Sequence, residues 1–224
     1  MVAFMEVLVQ KSRNKPEKGI KMSNLLQNQR DLFIESALPL IATYNISKEL
    51  LAQTSKQMGK PVRYEETLFS HEPVKGFALS MVSWWDRQML GKLDQPALQQ
   101  LRLNERIYQC VKTRLQSIQH HKAAFRSLHY YYCQPCHARD AMSIAWQTSD
   151  LIWSICGDKS TDFNYYSKRS ILLSVYGATF LYWLHDDSTD CVSSWEFLQR
   201  RIDNVLLIGR FKQKLKSLLP AQSA

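Results

Sequence analysis

The stretch that decides the fold of this chain is Thr148–Leu184, TSDLIWSICGDKSTDFNYYSKRSILLSVYGATFLYWL. Its last 14 residues, 171–184, carry no charge and are apolar around the whole helical circumference, which indicates a helix surrounded by other helices. A helix of that length spans ~21 Å, less than the ~30 Å hydrocarbon core of a bilayer. The segment therefore predicts a buried central helix.

Scarce turn residues extend the helical prediction to the rest of the chain. Only 7 glycines and 7 prolines occur among 224 residues, and no useful run alternates between polar and apolar residues, so we predict an all-α bundle. The predicted helices are Arg30–Thr43, Ile46–Met58 with Asn45 as its cap, Pro73–Leu90, Pro96–Gln119, one ending at Tyr132, Ala138–Cys156, Thr161–Trp183, Ser193–Ile208 and a C-terminal piece to Leu219.

The positive charge of the chain is concentrated at its ends. The net charge is +9, and residues 200–219 contain six basic residues against the single acid Asp203. Within this tail four apolar residues follow one helical face and four basic residues flank them, the pattern of a helix that lies on an anionic membrane. The predicted membrane-associating residues are Arg210, Phe211, Lys212, Lys214, Leu215, Lys216, Leu218 and Leu219. Packing of this helix on the core is the alternative.

Residues 46–69 have the layout of the DNA-binding part of TetR-type regulators. The third helix would enter the major groove, but it would present Tyr64, Glu65 and Glu66 there. Two carboxylates facing a phosphate backbone oppose binding, since recognition helices normally supply Arg, Lys, Asn or Gln. We therefore predict a degenerate helix-turn-helix module and no nucleic-acid partner.

The segment Cys133-Gln-Pro-Cys136-His137 matches the pattern of covalent c-type haem attachment. A redox dithiol is a second interpretation and a plain interhelical loop a third. His129, Cys133, Cys136 and His137 could also supply four zinc ligands, but no second ligand pair at a familiar spacing appears. Five cysteines do not form a disulfide framework, which favours a reducing compartment. Phosphate-binding glycine loops and hydrolase or metalloprotease motifs are missing, so we predict no enzyme activity, no catalytic residue, no metal site and no resident cofactor.

The turn at residues 157–160 brings the end of one helix beside the start of the next. It places Asp150, Ile152 and Trp153 near a second set of side chains, with Ser160 or Thr161 as the helix cap. That second set is Asp162, Tyr165 and Tyr166. Aromatic groups beside charges at a helix corner are typical of a protein-binding hot spot, although simple packing of the hairpin explains them equally well.

At these residues the chain resembles a known family. Residues 157–169, GDKSTDFNYYSKR, resemble the signature of the ubiquinone (coenzyme Q) biosynthesis accessory family Coq-nine, and Trp195–Leu198 with Arg200–Ile202 is similar to its next conserved block. The resemblance implies a TetR-like lipid-binding fold, with a leader at residues 1–28 that we expect to be disordered. A degenerate helix-turn-helix module at 29–91, a lipid-binding domain at 92–208 and an amphipathic helix and tail at 209–224 would follow.

The resemblance also implies a function. The chain would bind an isoprenoid quinone intermediate and present it to a di-iron demethoxyubiquinone hydroxylase through Asp150, Ile152, Trp153, Asp162, Tyr165 and Tyr166. Met142, Trp146, Phe180 and Trp183 are the candidates for lining a lipid tunnel. We expect a peripheral protein on the cytoplasmic face of a bacterial inner membrane, or alternatively on the matrix side of the mitochondrial inner membrane, and a homodimer. A TetR-type regulator with a lipophilic effector and a haem or redox protein using Cys133 and Cys136 are the alternatives.

Overall fold

The computed structural model describes the backbone of residues 17–161 and 163–218, and the side chains of 23–161, 163–205 and 207. Regular structure in these residues is helical, which confirms the all-α prediction. The α-helices are α1 (Glu17–Tyr44), α2 (Lys48–Gln57), α3 (Tyr64–Phe69), α4 (Pro73–Lys92), α5 (Gln95–Gln100), α6 (Leu103–Gln116), α7 (Lys122–Cys133), α8 (Ala138–Ile155), α9 (Phe163–Leu184) and α10 (Val192–Leu218). Single helical turns at Gln119–His121, Pro135–His137 and Thr189–Cys191 join some of them.

The chain divides into two compact units, with the boundary between Trp84 and Trp85 inside α4. The first unit has an aromatic centre in which Phe33, Phe69 and Phe77 meet edge to face, with ring centroids 5.4–6.1 Å apart. A Cβ at Gly76 would lie 2.6 Å from the carbonyl oxygen of Phe69, so only glycine permits this approach of α3 and α4.

The second unit is built around α9. Helices α8 and α10 pack on it, and α6 packs against α8 and α10. The buried Arg114 of α6 ties the interior together. Its guanidinium contacts Asp86 at 2.6 Å, donates to the Tyr176 hydroxyl at 3.1 Å and lies 3.7 Å from the Trp85 ring centroid. Burial raises the pKa of Tyr176 to about 12, so that hydroxyl stays protonated beside the arginine.

The start of α1 corrects the predicted leader. The helix begins at Glu17, whereas residues 1–28 were expected to be disordered; residues 1–16 lie outside the described part. No glycine or proline interrupts residues 20–38, which allows the helix to extend this far. The next helix is capped by Ser47, whose hydroxyl accepts a hydrogen bond from the Leu50 N–H, rather than by the predicted Asn45.

The predicted helix Pro96–Gln119 is also wrong, because the chain is extended at Leu101 and Arg102. Two interactions stabilise this break. Glu105 accepts the Arg102 N–H at 2.9 Å, and the Arg106 guanidinium donates to the Leu101 carbonyl at 2.9 Å. The break therefore depends on contacts that the apolar stripe of the sequence does not reveal.

Helix α10 continues through Gly209 to Leu218 as one element, whereas a separate C-terminal piece was predicted. Leu219 and the side chains of the other predicted membrane-associating residues, Arg210 to Leu218, lie outside the described residues. Among the helices described, none is both long enough and apolar enough to cross a bilayer.

Candidate functional site

Asp158 is the hub of the corner between α8 and α9. Its carboxylate accepts a hydrogen bond from the Ser160 hydroxyl at 2.8 Å and forms ion pairs with Lys168 at 2.7 Å and Arg169 at 3.2 Å. Burial by itself raises the pKa of this carboxyl, but the hydrogen bonds from Lys168, Ser160 and Arg169 outweigh it and leave the pKa below its ordinary value. The carboxylate is therefore ionised and held from three sides.

Arg169 connects this hub to the end of α8. Its Nε donates to Asp150 Oδ1 at 2.6 Å, and its Nη1 donates to Asp158 Oδ2 and to the carbonyl of Tyr165. The guanidinium lies 3.4 Å from the centroid of the Tyr165 ring, close enough for a cation–π interaction. One buried cation thus joins two carboxylates and an aromatic ring from both helices.

Tyr165 completes the network by donating its hydroxyl to Asp150 Oδ1 at 3.0 Å. Burial, followed by this hydrogen bond to the carboxylate, raises the pKa of Tyr165. On the other side of α9, Trp153 Nε1 donates to the Lys168 carbonyl at 3.1 Å and the Lys168 ammonium lies 5.4 Å from the Trp153 ring. The charged residues of the 157–169 motif are thus used mainly to build the corner.

The surface of the corner is aromatic. Tyr166 is 61% exposed and Phe163 is 80% exposed, both in the first turn of α9. Trp146 of α8 lies beside them, with its ring centroid 6.0 Å from that of Tyr166 and 6.3 Å from that of Tyr165. The exposed Phe163 and Tyr166 and the half-buried Trp146 form a group that we call the aromatic patch.

The structure places the described members of the predicted partner-binding set at one corner, but they differ in how far they are exposed to solvent. Ile152, Trp153 and Tyr165 are buried, so they shape the corner from inside. Asp150 is tied to Arg169 and Tyr165. Tyr166 alone among the five described members is exposed, and Asp162 lies outside the described residues. Because Ile152, Trp153 and Tyr165 are buried, the surface that a partner could reach is smaller than the predicted set of residues.

The four predicted tunnel residues do not share one site. Met142 is 62% exposed, and Trp146 belongs to the aromatic patch. Phe180 and Trp183 stack on each other with centroids 6.1 Å apart, and Trp183 is fully buried beneath the Lys122 ammonium. These two side chains fill the core of the second unit, as the alternative of a packed interior predicts.

An apolar cavity of about 250 Å³ lies close to the corner instead. Four helices, α6, α8, α9 and α10, contribute to it, and the Lys168 side chain lies at its polar edge. Its apolar lining includes Leu103, Ile107, Trp153, Ile171, Leu172 and Ile202. Trp153 had been predicted as a partner-binding residue, and sequence reasoning missed Leu103, Ile107 and Ile202, because no helical period shows which faces of four separate helices converge.

Sequence reasoning also missed Arg106, Asp158, Lys168 and Arg169 as builders of the corner. Arg106 donates to the carbonyl of Cys156 at 3.1 Å and to the Gln99 carbonyl at 2.7 Å, which closes the end of α8. The signal for the last three was their position in a motif rich in charge beside a helix start. Their pairing with Asp150 depends on a contact between helices.

Comparison with solved structures defines the class of fold. A TetR transcriptional regulator from Nitrosomonas europaea superposes with a TM-score of 0.65, covering 79% of this chain and 97% of that one at 17% identity. The chain therefore has the all-α fold of the TetR regulators, and at this identity the likeness extends to the fold alone.

Residues 138–209, which span α8, α9 and most of α10, match the family model COQ9. A Dictyostelium discoideum protein, "Probable ubiquinone biosynthesis protein coq9, mitochondrial", is 24% identical over 82% of this chain. The COQ9 proteins of Bos taurus and Homo sapiens are 33% and 32% identical over 48% and 37% of it. The resemblance to the Coq-nine family is confirmed. The match spans 61% of the Dictyostelium protein and 34% of the bovine one.

Proposed function

We propose that this chain serves ubiquinone biosynthesis as a non-catalytic accessory protein that binds an isoprenoid quinone intermediate and presents it to a di-iron hydroxylase. The carrying observation is the α8–α9 corner, where the COQ9-matching residues pair their charges and leave Phe163 and Tyr166 exposed beside the half-buried Trp146. Exposed aromatic side chains on a preorganised support are typical of binding hot spots. The names of the relatives support the biosynthetic role and the mitochondrial alternative for location.

The hydroxylase would dock on the aromatic patch. Tyr166→Ala removes an exposed ring without touching the Asp158–Arg169 network, so we expect the Kd for the hydroxylase to rise by about 30-fold or more, equivalent to ~2 kcal/mol. Tyr130→Ala is the matched control, since Tyr130 is 69% exposed on α7. Calorimetric titration of both variants decides the matter. Equal weakening by both, or by neither, would remove the patch as the docking site.

The lipid tail would enter the cavity lined by α6, α8, α9 and α10. Its ~250 Å³ is below the ~300–1,000 Å³ of sites that enclose a whole drug-sized ligand, so it fits part of a prenyl chain. Each methylene buried there contributes ~0.8 kcal/mol, and a tail therefore prefers the cavity to water. Entry at the open rim beside Ile171, which is 43% exposed, leaves the quinone head near Lys168.

Ile171→Trp tests this cavity because the larger ring fills its rim. We expect isoprenoid lipid that co-purifies with the protein to fall severalfold, as measured by mass spectrometry of organic extracts. Leu181→Trp, at a residue of similar exposure ten positions along the same helix, is the control and should retain the lipid. Unchanged lipid in both variants would place the cargo elsewhere or show that there is none.

Membrane association is assigned to the end of α10 from its sequence pattern. Four basic residues near anionic lipid contribute ~4 kcal/mol before salt screening. Deleting residues after Gly209 should abolish flotation with anionic vesicles while leaving the melting temperature nearly unchanged. Flotation of the truncated protein equal to that of the full chain would contradict the assignment.

A further inference from the structure

The segment that joins α7 to α8 contains the chain's two solvent-exposed thiols. Cys133 ends α7 and Cys136 lies in the single turn Pro135–His137. The other three cysteines, Cys110, Cys156 and Cys191, are buried. Reactivity towards solutes requires access, so chemistry at sulfur in this chain is confined to residues 133 and 136.

Cys133 contacts a histidine one helical turn earlier. Its Sγ lies 3.4 Å from Nε2 and 3.8 Å from Nδ1 of His129. The imidazole is held edge-on against Phe180, with centroids 5.8 Å apart. Burial lowers the pKa of His129, and His185 nearby lowers it further, so at neutral pH the ring is uncharged and has a lone pair to accept the thiol proton. A thiol beside a neutral imidazole is the arrangement of an activated nucleophile.

Cys136 has a different environment: it lies two residues before the 18-residue helix α8, and its Sγ is 3.9 Å from Gln134 Oε1. The His137 ring stacks on Tyr131 with centroids 4.0 Å apart, and the backbone N–H of His137 donates to the Gln134 carbonyl at 2.9 Å. The turn between the two cysteines is therefore anchored at His137, while Gln134 and Pro135 are exposed.

We propose that Cys133 and Cys136 form a redox-active dithiol in which His129 is the base for Cys133 and the oxidant is a small-molecule disulfide such as oxidised glutathione. His129 takes the proton of Cys133, and the Cys133 thiolate attacks one sulfur of the disulfide. This step forms a mixed disulfide and releases one glutathione thiolate. The released glutathione thiolate takes the proton of Cys136, whose sulfur then attacks Cys133 Sγ and expels the second glutathione thiolate. Two electrons pass from the dithiol to the disulfide, and two glutathione molecules leave.

The geometry favours a dithiol over a metal site. Across the described part of the chain, no group of three or more His, Cys, Asp or Glu side chains is arranged to hold an ion. A disulfide needs only the two sulfurs, and it requires their Cα atoms to come within about 7 Å. Only Gln134 and Pro135 separate the two cysteines, which is the C-x-x-C spacing of redox-active dithiols.

The first experiment measures the alkylation rate of each cysteine in the full chain by peptide mass spectrometry. His129→Phe keeps a ring against Phe180 but removes the base, so Cys133 should react about tenfold more slowly while Cys136 is unchanged. His137→Phe is the control, because it preserves a ring to stack on Tyr131. An unchanged rate at Cys133 in the His129 variant would overturn the role of His129.

The second experiment incubates the reduced chain with oxidised glutathione. The parent should lose two hydrogens and give a peptide that contains a Cys133–Cys136 bond, and Cys136→Ser should stop with one glutathione on Cys133. Persistence of both thiols in excess oxidant would overturn the proposal. So would separate glutathione adducts on the two cysteines of the parent, since they would show that Cys136 does not resolve the mixed disulfide.

Discussion

The two ends of α8 are built on opposite principles. Its C-terminal end meets α9 at a corner where Asp150, Asp158 and Arg169 are locked together by hydrogen bonds and ion pairs. Its N-terminal end meets α7 through an exposed turn in which Cys133 and Cys136 face solvent. At the C-terminal end the charged groups pair with one another and aromatic side chains form the surface. At the N-terminal end the thiols stay accessible on a short backbone turn.

The difference suits the two sites that we propose for this helix, a binding surface at its C-terminal end and a reactive dithiol at its N-terminal end. A binding surface needs fixed side chains, and buried ion pairs with complete hydrogen bonding supply that order at a cost in desolvation. Chemistry at sulfur needs access to solutes, which a turn of four exposed residues provides. We therefore expect substitutions at the C-terminal end to change stability and those at the N-terminal end to change reactivity.

The largest expected effect comes from removing the cation of the closed corner. Arg169→Met leaves Asp150 and Asp158 facing each other without their shared partner, which should lower the free energy of unfolding by about 3–5 kcal/mol. Arg200→Met is the control, since its pair with Glu196 is more than half exposed and worth under ~1 kcal/mol. Denaturant unfolding of both variants gives the comparison. A loss below ~1 kcal/mol for the Arg169 variant would show that the network does not hold the corner.

A second corner, between α9 and α10, is also held by a hydrogen-bonded carboxylate. It tests whether such carboxylates stabilise both corners. Asp186 accepts the N–H groups of Ser188 and Ser194; burial raises its pKa, but these bonds lower it to about 2. Asp186→Asn should lose about 2 kcal/mol at pH 7. Since the folded pKa is depressed, this contribution is present above pH ~4 and disappears as pH falls towards 2.

Unfolding free energies of the parent and of Asp186→Asn, measured at several pH values between 7 and 2, check this prediction. Asp187→Asn is the neighbouring control because Asp187 is exposed. A difference between parent and variant that stays constant down to pH 2 would mean that the ionised carboxylate is not the source of the stability.

A cysteine on each side of α8 gives a matched test of the comparison itself. Cys156 follows the helix and is 2% exposed, whereas Cys136 precedes it and is exposed. Cys156→Ser replaces a buried thiol that is hydrogen-bonded to Cys110 by a more polar hydroxyl and should cost about 1.5 kcal/mol. Cys136→Ser should stay within ~0.5 kcal/mol of the parent in thermal and denaturant unfolding. Equal costs at the two positions would erase the distinction between the ends.

The smallest expected effect concerns single hydroxyl groups at the corner. Tyr165→Phe removes one hydrogen bond to Asp150 and should lower the unfolding free energy by about 1 kcal/mol. Tyr166→Phe should have almost no effect on stability, because the Tyr166 ring is 61% exposed. Denaturant unfolding measures both. A larger loss at Tyr166 than at Tyr165 would reverse the assignment of buried support and exposed surface.

Much of this fold is predictable from the sequence where a helix has a clear start or stop. Pro73 begins α4 as predicted, and Gly157, whose φ of 82° favours glycine, stops α8 where the corner was expected. The early part of α1 was missed because Leu25 and Leu26 are 57% and 37% exposed. A helix without a buried apolar stripe gives no periodic signal.

The sequence predicted where the corner between α8 and α9 lies, but not all of the contacts that hold it together. Residue spacing indicated that Asp150 and Tyr165 would meet across the turn, and they do. It did not indicate that Arg169 joins Asp150 to Asp158, since that contact depends on how two helices pack. The pair His129 and Cys133 is different, because residues four apart share a helical face and the sequence alone contained that signal.

One feature of α9 links the aromatic patch to the apolar cavity. Tyr166 belongs to the patch and Ile171 to the cavity rim, and Ile171 lies five positions further along a continuous helix, a rise of ~7.5 Å. Between them Lys168 and Arg169 fasten this stretch to α8. A shift of the first turns of α9 that widens the cavity would therefore displace Tyr166 as well, so the lipid proposed to occupy the cavity would also change the shape of the proposed docking surface.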